Sequence, residues 1–488
     1  MAVTATQTPY RPFDMAYGAN PITLDGITAS QEKYALQITV VGQTTPIADI
    51  RQSPNRYARA IFDIQNILQS QIEPSKNNID ALHYSVGFAQ QNTRMRIANG
   101  ELIQYQIAYT TETNGQLDAP FTVSPIIYTA IGGAKDYWQV PFDEGANFIP
   151  IVDGTVDGCT DINFAARPLS DNTWTIADTE TGDNLLTVNG GYPSPGGIDV
   201  QNVYAGDQNT KSFWQTISRV AGPYPANTLA QGIEGFWILQ CGASGSIFNT
   251  SFLANTQSSG GGPNITLGQG LIPTGNFNVV TLATGPANFP QGTLSANTTH
   301  YYIVPVLYTP LSPTNCSTDE QSQVPVMSEA AWRIQRYNIL PTPCNDYDHI
   351  QFAWMNSEGF RDQITFTKRN EKMVVTKKNN FLKEAADYNE VRYVVDEQSR
   401  GFTTYSQTIN ENWTATSGFI NDEEAKLLES MFKSASVMVR FSVGEYANQW
   451  VPIQLLSSKY TQKTVRKDRL FQYTVNYRLA NNIKSQRG

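Results

Sequence analysis

Histidine and cysteine are scarce in this chain. Three histidines, His83, His300 and His349, occur in 488 residues, and none has a partner at metal-ligand spacing. The four cysteines, Cys159, Cys241, Cys316 and Cys344, lie far apart, which excludes a zinc knuckle and a dense disulfide framework. A Cys316–Cys344 bridge stays open, with buried thiols in a reducing compartment the expected state. The chain also lacks a phosphate-binding loop, a dinucleotide fingerprint and an HExxH pattern. The nearest approach to a nucleophile elbow, Gly242-Ala243-Ser244-Gly245, misses the required spacing. No apolar run reaches the roughly 20 residues that span a bilayer. The opening Met1-Ala2-Val3-Thr4-Ala5-Thr6 has neither the basic segment nor the apolar stretch of a signal peptide. These absences predict a soluble, cytoplasmically made protein and single out no catalytic residues, cofactor, metal or membrane partner.

Charge is sparse as well. Charged residues make up 16% of the chain and the net charge is −9, so bulk electrostatics give no reason to expect specific nucleic-acid binding. Near the end of the chain the sign reverses. Lys459, Lys463, Arg466, Lys467, Arg469, Arg478, Lys484 and Arg487 stand against Asp468 alone. That cluster reads as a solvated loop and tail, or as a contact surface for an acidic neighbour. Two acidic runs, Asp153, Asp157 and Asp161, then Asp178, Glu180 and Asp183, carry enough oxygen to hold Ca²⁺. Neither follows the twelve-residue EF-hand pattern, and solvated turns are the simpler reading. A sugar-cleaving pair of carboxylates would have to meet across strands, which spacing cannot show.

What the chain has in quantity is Gly, Pro, Asn, Thr and Ser, with Tyr and Phe well in excess of Trp, arranged in short alternating runs. The fold class expected is mainly β: several antiparallel β-sandwich or split-barrel domains, the C-terminal one with a single packed α-helix. The expected organisation is an extended arm over residues 1–20, a β-sandwich over 21–145, a loop-rich β region over 146–335, and a C-terminal sandwich or split barrel over 336–488. Tyr34, Leu36, Ile38 and Val40 mark a strand closed by Gly42; Ile103, Tyr105, Ile107 and Tyr109 mark another. A strand running into one turn of helix fits Ala60-Ile61-Phe62-Asp63-Ile64 and Ile67-Leu68. The Gly-rich runs at 190–197 and 258–263 break the middle region into loops. Lys368, Arg369, Glu371, Lys372, Lys377 and Lys378 read as a solvated strand and loop.

Residues 413–479 are the most legible. Asn421 is placed to cap a helix at about 422–434, with Glu424 completing a loose capping box. Ala425, Leu427, Leu428, Met431 and Phe432 form its apolar side. Three strands follow: Val437, Val439, Phe441 and Val443; then Val451, Ile453 and Leu455; then Phe471, Tyr473, Val475, Tyr477 and Leu479, with Gln472, Thr474, Asn476 and Arg478 on the other face. The pattern predicts one helix laid on an antiparallel sheet wet on one face.

The run Ile350-Gln351-Phe352-Ala353-Trp354-Met355-Asn356-Ser357-Glu358-Gly359-Phe360-Arg361-Asp362, with Ile364-Thr365-Phe366, resembles a hairpin in structural proteins of tailed bacteriophages, especially those of Bacteroidetes-type hosts. Trp413, the helix, Trp450-Val451-Pro452-Ile453 and Phe471-Gln472-Tyr473-Thr474-Val475 are similar to later parts of the same proteins, and Tyr34 to Val40 to their opening. The C-terminal unit also resembles the module shared by tail-tube and distal-tail proteins. The resemblance covers the two ends and leaves about 140–300 unmatched. It implies a non-enzymatic virion structural protein of the tail, tail tip or baseplate, assembled in the host cytoplasm. Its implied partners are copies of itself in a ring-like homo-oligomer and other virion tail proteins. The alternatives are a head-fibre, neck or capsid-decorating protein, a carbohydrate-binding adhesin or receptor-binding protein, or a β-fold polysaccharide-degrading enzyme.

Overall fold

The computed structural model describes residues 3–7, 14–27, 31–72, 95–97, 102–134, 150–151, 162–168, 175–176, 198–219, 233–254, 277–289, 292–307, 324–325, 334–341, 347–383, 386–388, 391–395, 401–420, 422–444, 446–457 and 472–480. The chain is mainly β, in several largely antiparallel sheets, with two α-helices among the described residues. It divides into two compact units: Met1–Thr342 with Trp354–Gln363, and Pro343–Ala353 with Ile364–Gly488.

The first unit opens with a sandwich. One sheet pairs Thr4–Gln7, Pro21–Asp25 and Ala60–Asp63. The other runs Asp14–Met15, Thr122–Ile131, Leu102–Thr113, Lys33–Val40 and Ala48–Gln52, with Gln116–Leu117 turning back on Leu102–Thr113. Alternation decides which side chains meet. Ile22, Leu24 and Phe62 from the first sheet share one buried core with Tyr34, Leu36, Ile38, Tyr105, Ile107 and Tyr128 from the second. Helix α1 (Gln65–Gln69) adds Leu68 to that core, with Ile64 and Ile72 on either side of it. Tyr105 and Tyr128 stack at 5.4 Å.

The expected N-terminal arm needs correcting. Two pieces of the first twenty residues are strands of this sandwich, and Met15 and Ala16 are fully buried. The turn after them is fixed by the buried Asn20, whose Nδ2 donates to the Met15 and Gly18 carbonyls at 2.7 and 3.0 Å. Local hydrogen bonding of this kind does not show in hydropathy.

Two further sheets follow in the same unit. One orders Pro150–Ile151, Ile162–Pro168, Thr210–Arg219, Phe277–Ala283 and Met95–Ile97. The other orders Thr175–Ile176, Ile198–Val203, Ile334–Ile339, His300–Leu307, Ile233–Cys241 and Ile247–Ala254, with Val324–Pro325 beside His300–Leu307. Ile198–Val203 and Ile334–Ile339 run parallel. Tyr301 stacks on Tyr337 at 5.2 Å and meets the edge of Phe289 at 5.6 Å. The Gly-rich runs at 190–197 and 258–263 lie outside the described residues.

The second unit is built on a seven-stranded sheet in the order Arg361–Phe366, Ile350–Met355, Val437–Phe441, Trp450–Leu455, Thr474–Leu479, Gly401–Thr416, Asn370–Lys383. Helix α2 (Asp422–Lys433) buries Ala425, Leu427, Leu428 and Met431, while Phe432 is only half-buried. Burying each large side chain stabilises by roughly 1.5–3 kcal/mol. Asn421, the expected cap, lies outside the described residues. Thr474–Leu479 alternates as expected, with Tyr473, Val475 and Tyr477 inward and Thr474, Asn476 and Arg478 outward.

Val437–Phe441 departs from the one-face-wet pattern, because all five of its residues are buried. It is an interior strand, and the one cation on it, Arg440, donates to Asn448 Oδ1 at 2.7 Å. Val443, expected at the end of this strand, lies beyond it and is exposed.

Candidate functional site

The hairpin Ile350–Met355 and Arg361–Phe366 turns at Asn356 to Gly359, as its sequence predicts. Asn356 Oδ1 accepts from the backbone N–H of Glu358 and of Phe360, both at 3.0 Å, and its Nδ2 donates to Asp362 at 3.0 Å. Gly359 holds a φ of +87°, and a Cβ there would overlap the backbone of Gly132 and Gly133. Gln363 and Thr210 exchange hydrogen bonds at 2.6 and 3.2 Å. The hairpin tip is therefore a packed structural plug of the first unit, and the Asp362 carboxylate accepts from Asn356 in holding the turn.

The residues tested for chemistry that fall among the described ones sit in or beside strands and turns. His300 is buried in its strand, 3.1 Å from Thr299 Oγ1 and edge-on to Tyr302. His349 lies in the other unit, where burial lowers its pKa and Asp348 acts in the opposite direction. Gly242 to Gly245 is the tight turn between Ile233–Cys241 and Ile247–Ala254, and the Ser244 hydroxyl reaches Ser246 at 2.8 Å. Cys241 is buried. His83, Cys159, Cys316, Cys344, Asp153, Asp157, Asp161, Asp178, Glu180 and Asp183 lie outside the described residues. Of the basic C-terminal cluster only Arg478 is described; it is exposed and donates to Gln454 Oε1 at 2.8 Å. No group of three or more metal-ligating side chains occurs among the described residues, and no helix among them is long and apolar enough to cross a membrane.

The remaining strong pKa shifts have structural causes. Burial raises the Tyr301 phenol, helped by Tyr337 and Asp207, and that hydroxyl donates to the Thr284 carbonyl at 2.7 Å. Burial alone raises Tyr477. Thr111 and Thr113 hold the exposed Asp118 carboxyl below its usual range by hydrogen bonding.

What stands out instead is a surface. Asn370–Lys383 and Gly401–Thr416 pair antiparallel from Asn370↔Ala415 to Lys383↔Gly401, with one irregularity after Asn379. Only residues 413–416 continue into the main sheet, by pairing with Thr474–Tyr477. Pairing resumes beyond the stem between Ala386–Tyr388 and Tyr393–Val395. From Met373 to Lys383 the structure is a two-stranded ribbon roughly 35 Å long at about 3.3 Å per residue. Its side chains are exposed on both faces, including Met373 at 57%, Val374 at 53%, Leu382 at 68% and Phe402 at 79%.

The stem holds itself together with polar pairs. Lys372 meets Glu411 at 2.7 Å and lies over Trp413 at 5.2 Å. Asn379 donates to Ser406 at 2.9 Å, and Thr404 to Asn380 at 2.7 Å. Lys377 and Lys378 stand opposite Thr408 and Gln407, with no acid across the ladder. Sequence reasoning took this stretch as a solvated strand and loop. The sign of something longer was two strand-like runs with no glycine or proline between Asn370 and Lys383, or after Gly401 up to Thr416.

No family model matches the chain, and no curated protein matches it. Among solved structures it is similar to a marsupial T cell receptor, at 9% identity over 85% of this chain and 96% of that one, with a TM-score of 0.15. A likeness that weak carries no argument.

Proposed function

We propose that the chain is a non-enzymatic structural subunit of a tailed-bacteriophage virion, in the tail, tail tip or baseplate, working as a homo-oligomer among other tail proteins. The observation that carries this reading is the C-terminal unit. A single helix with one buried side accompanies a sheet that ends in a long ribbon with an open outer edge among the described residues. Exposed edges and apolar ribbons are aggregation hazards in a lone protein, and subunits that extend one another's sheets make use of them. Of the residues that carry the phage resemblance, Ile350 to Asp362 and residues 413–479 fall on this unit and on the hairpin divided between the two, and Tyr34 to Val40 falls on the first unit.

The test is immunogold electron microscopy of particles from a phage carrying this gene, with mass spectrometry of tails sheared from heads. Label at the tail and enrichment in the tail fraction are expected. Label confined to heads, or absent from particles, overturns the reading.

A further inference from the structure

We propose that the outer edge of Asn370–Lys383 is a self-complementary contact, on which a second copy of this chain lays the same strand antiparallel, Val374 facing Val374 across a two-fold axis. This goes beyond the virion reading and does not depend on it.

The backbone decides which registers are open. The Thr416 N–H donates to the Arg369 carbonyl at 3.0 Å, and the Ser417 N–H to the Tyr473 carbonyl at 2.8 Å. Backbone groups alternate in direction along a strand, so Thr414 and Thr416 turn theirs to Asn370–Lys383, while Trp413 and Ala415 turn theirs to Thr474–Leu479. Glu371 stands opposite Thr414, so Glu371, Met373 and Val375 direct their N–H and C=O to the neighbouring strand. Asn370, Lys372, Val374, Thr376 and Lys378 therefore direct theirs to the outer edge, along which no strand pairs among the described residues. Two residues opposed in an antiparallel ladder either both aim their backbone groups at each other or both aim them away. A second copy of the strand can thus be centred on a residue but not between two.

Side-chain chemistry then selects one centre. About Val374, Met373 meets Val375, Lys372 meets Thr376, Glu371 meets Lys377 and Asn370 meets Lys378, each contact made twice by symmetry. Glu371 and Lys377 fall at a pair without ladder hydrogen bonds, where opposed side chains lie closest. Within one chain Lys377 has Thr408 across the ladder, so the second copy supplies its acid. Lys372 keeps Glu411 at 2.7 Å, with a threonine opposite. Arg369 holds the exposed Glu371 through Oε1, at 2.6 and 2.8 Å, and Oε2 of the same carboxylate can accept from the second copy's lysine. Other centres do worse. About Met373, Arg369 would face Lys377; about Val375, Lys372 would face Lys378; about Lys372, Lys377 or Lys378, a lysine would face itself. About Thr376, Glu371 would face Phe381 and no acid would meet a base. Lysines on an edge strand block most pairings, and here they leave one.

The same register accounts for the exposed run Met373, Val374 and Val375. Consecutive residues point to opposite faces, so no single packed layer could cover all three. In the pair, Val374 meets its own copy on one face, and Met373 and Val375 meet each other on the other face.

The experiment is sedimentation velocity of the full-length chain at low salt, from about 1 to about 100 μM. The wild-type chain should shift to larger species as its concentration rises. Glu371→Lys and Lys377→Glu each turn both symmetric pairs into like-charge pairs. Each should weaken the association about tenfold or more, with the unfolding midpoint of the dilute chain unchanged. An equimolar mixture of the two single variants should associate as the wild-type chain does, because each then meets the opposite charge at both pairs. The Glu371→Lys/Lys377→Glu double variant should do the same alone. A chain that stays monomeric throughout, association that the single variants leave intact, or weakening that neither the mixture nor the double variant reverses each overturns the proposal. All three leave the virion reading standing. Absence from the tail fraction removes that reading whatever the edge strand does.

Discussion

Lys33–Val40 and Asn370–Lys383 are both antiparallel strands that carry a run of apolar residues, and they end in opposite environments. In the first, Tyr34, Leu36 and Ile38 are fully buried, and strands pair along both edges. In the second, Met373, Val374 and Val375 are exposed, and among the described residues one strand pairs along one edge. Composition carries much of the difference, since Asn370–Lys383 holds four lysines and three asparagines where Lys33–Val40 holds one lysine and no asparagine. Alternation puts apolar side chains on one face, where a second sheet can cover them. A run of apolar residues divides between two faces and is buried where both are covered, as Tyr34, Ala35 and Leu36 are, whereas Met373, Val374 and Val375 are exposed. Cross-strand pairs then hold the ribbon extended without a core.

The comparison breaks most sharply where burial is complete. Leu428→Asp puts an unpaired carboxylate on the buried side of α2. An uncompensated buried charge costs roughly 3–5 kcal/mol, in addition to the lost apolar burial. The C-terminal unit should unfold, which limited proteolysis would reveal as cleavage confined to that unit; a stable product of wild-type size would refute the placement of the helix. Gly359→Ala comes next. It forces a side chain into left-handed backbone and into the Gly132–Gly133 main chain, and each effect costs about 1–3 kcal/mol. The thermal midpoint should fall by several degrees, and an unchanged midpoint would mean that the hairpin tip is not seated there.

Smaller effects probe single bonds in the first region and single protons in the second. The Tyr34 hydroxyl donates to the Ala58 carbonyl at 2.6 Å and accepts from the Ile27 N–H at 2.8 Å. Tyr34→Phe should cost about 1–2 kcal/mol by urea titration, since both partners lose their bond; a neutral change would mean that water replaces the hydroxyl. His349 titrates below the usual histidine range because it is partly buried. Its unfolded form takes up a proton first, so its contribution to stability is complete above about pH 6.5 and is lost as pH falls. The acid-side fall in unfolding midpoint should be shallower in His349→Gln, and superimposable profiles would assign that fall to other groups.

Much of the fold was legible because alternation and burial coincide in it. Tyr34 to Val40, Ile103 to Tyr109 and, within the strand expected from Phe471 to Leu479, its described part Thr474–Leu479 read correctly from hydropathy alone, as did the helix near 422–434 and the Asn356 to Gly359 turn. Three features were not legible, for physical reasons. The inclusion of Asp14–Met15 in the sandwich depends on Asn20 bonding to backbone carbonyls, which no periodicity reports. The two-sided burial of Val437–Phe441 depends on what covers the strand, and its sequence resembles that of a half-exposed one. The ribbon depends on pairing between residues up to 45 apart, Asn370 with Ala415, and its lysines and asparagines disguise it as loop. The candidate surface was thus the part least visible in the sequence, because long-range pairing holds it extended and its many polar side chains leave no alternation to read.

The ribbon should also be the place where apolar substitutions cost least. Met373→Thr, Val374→Thr and Val375→Thr remove exposed side chains from a strand that already tolerates Thr376. Threonine keeps strand propensity at all three sites. Surface changes away from caps, cores and buried charges stay within about 0.5 kcal/mol. The triple variant should therefore unfold with the wild-type chain in dilute solution, whereas threonine at Leu36 and Ile38 should lower the midpoint sharply. If the ribbon variant instead loses stability at low concentration, its apolar residues are covered within a single chain and the contrast between the two strands fails. If it loses stability only at high concentration, where the wild-type chain gains it, the same residues are being buried between copies.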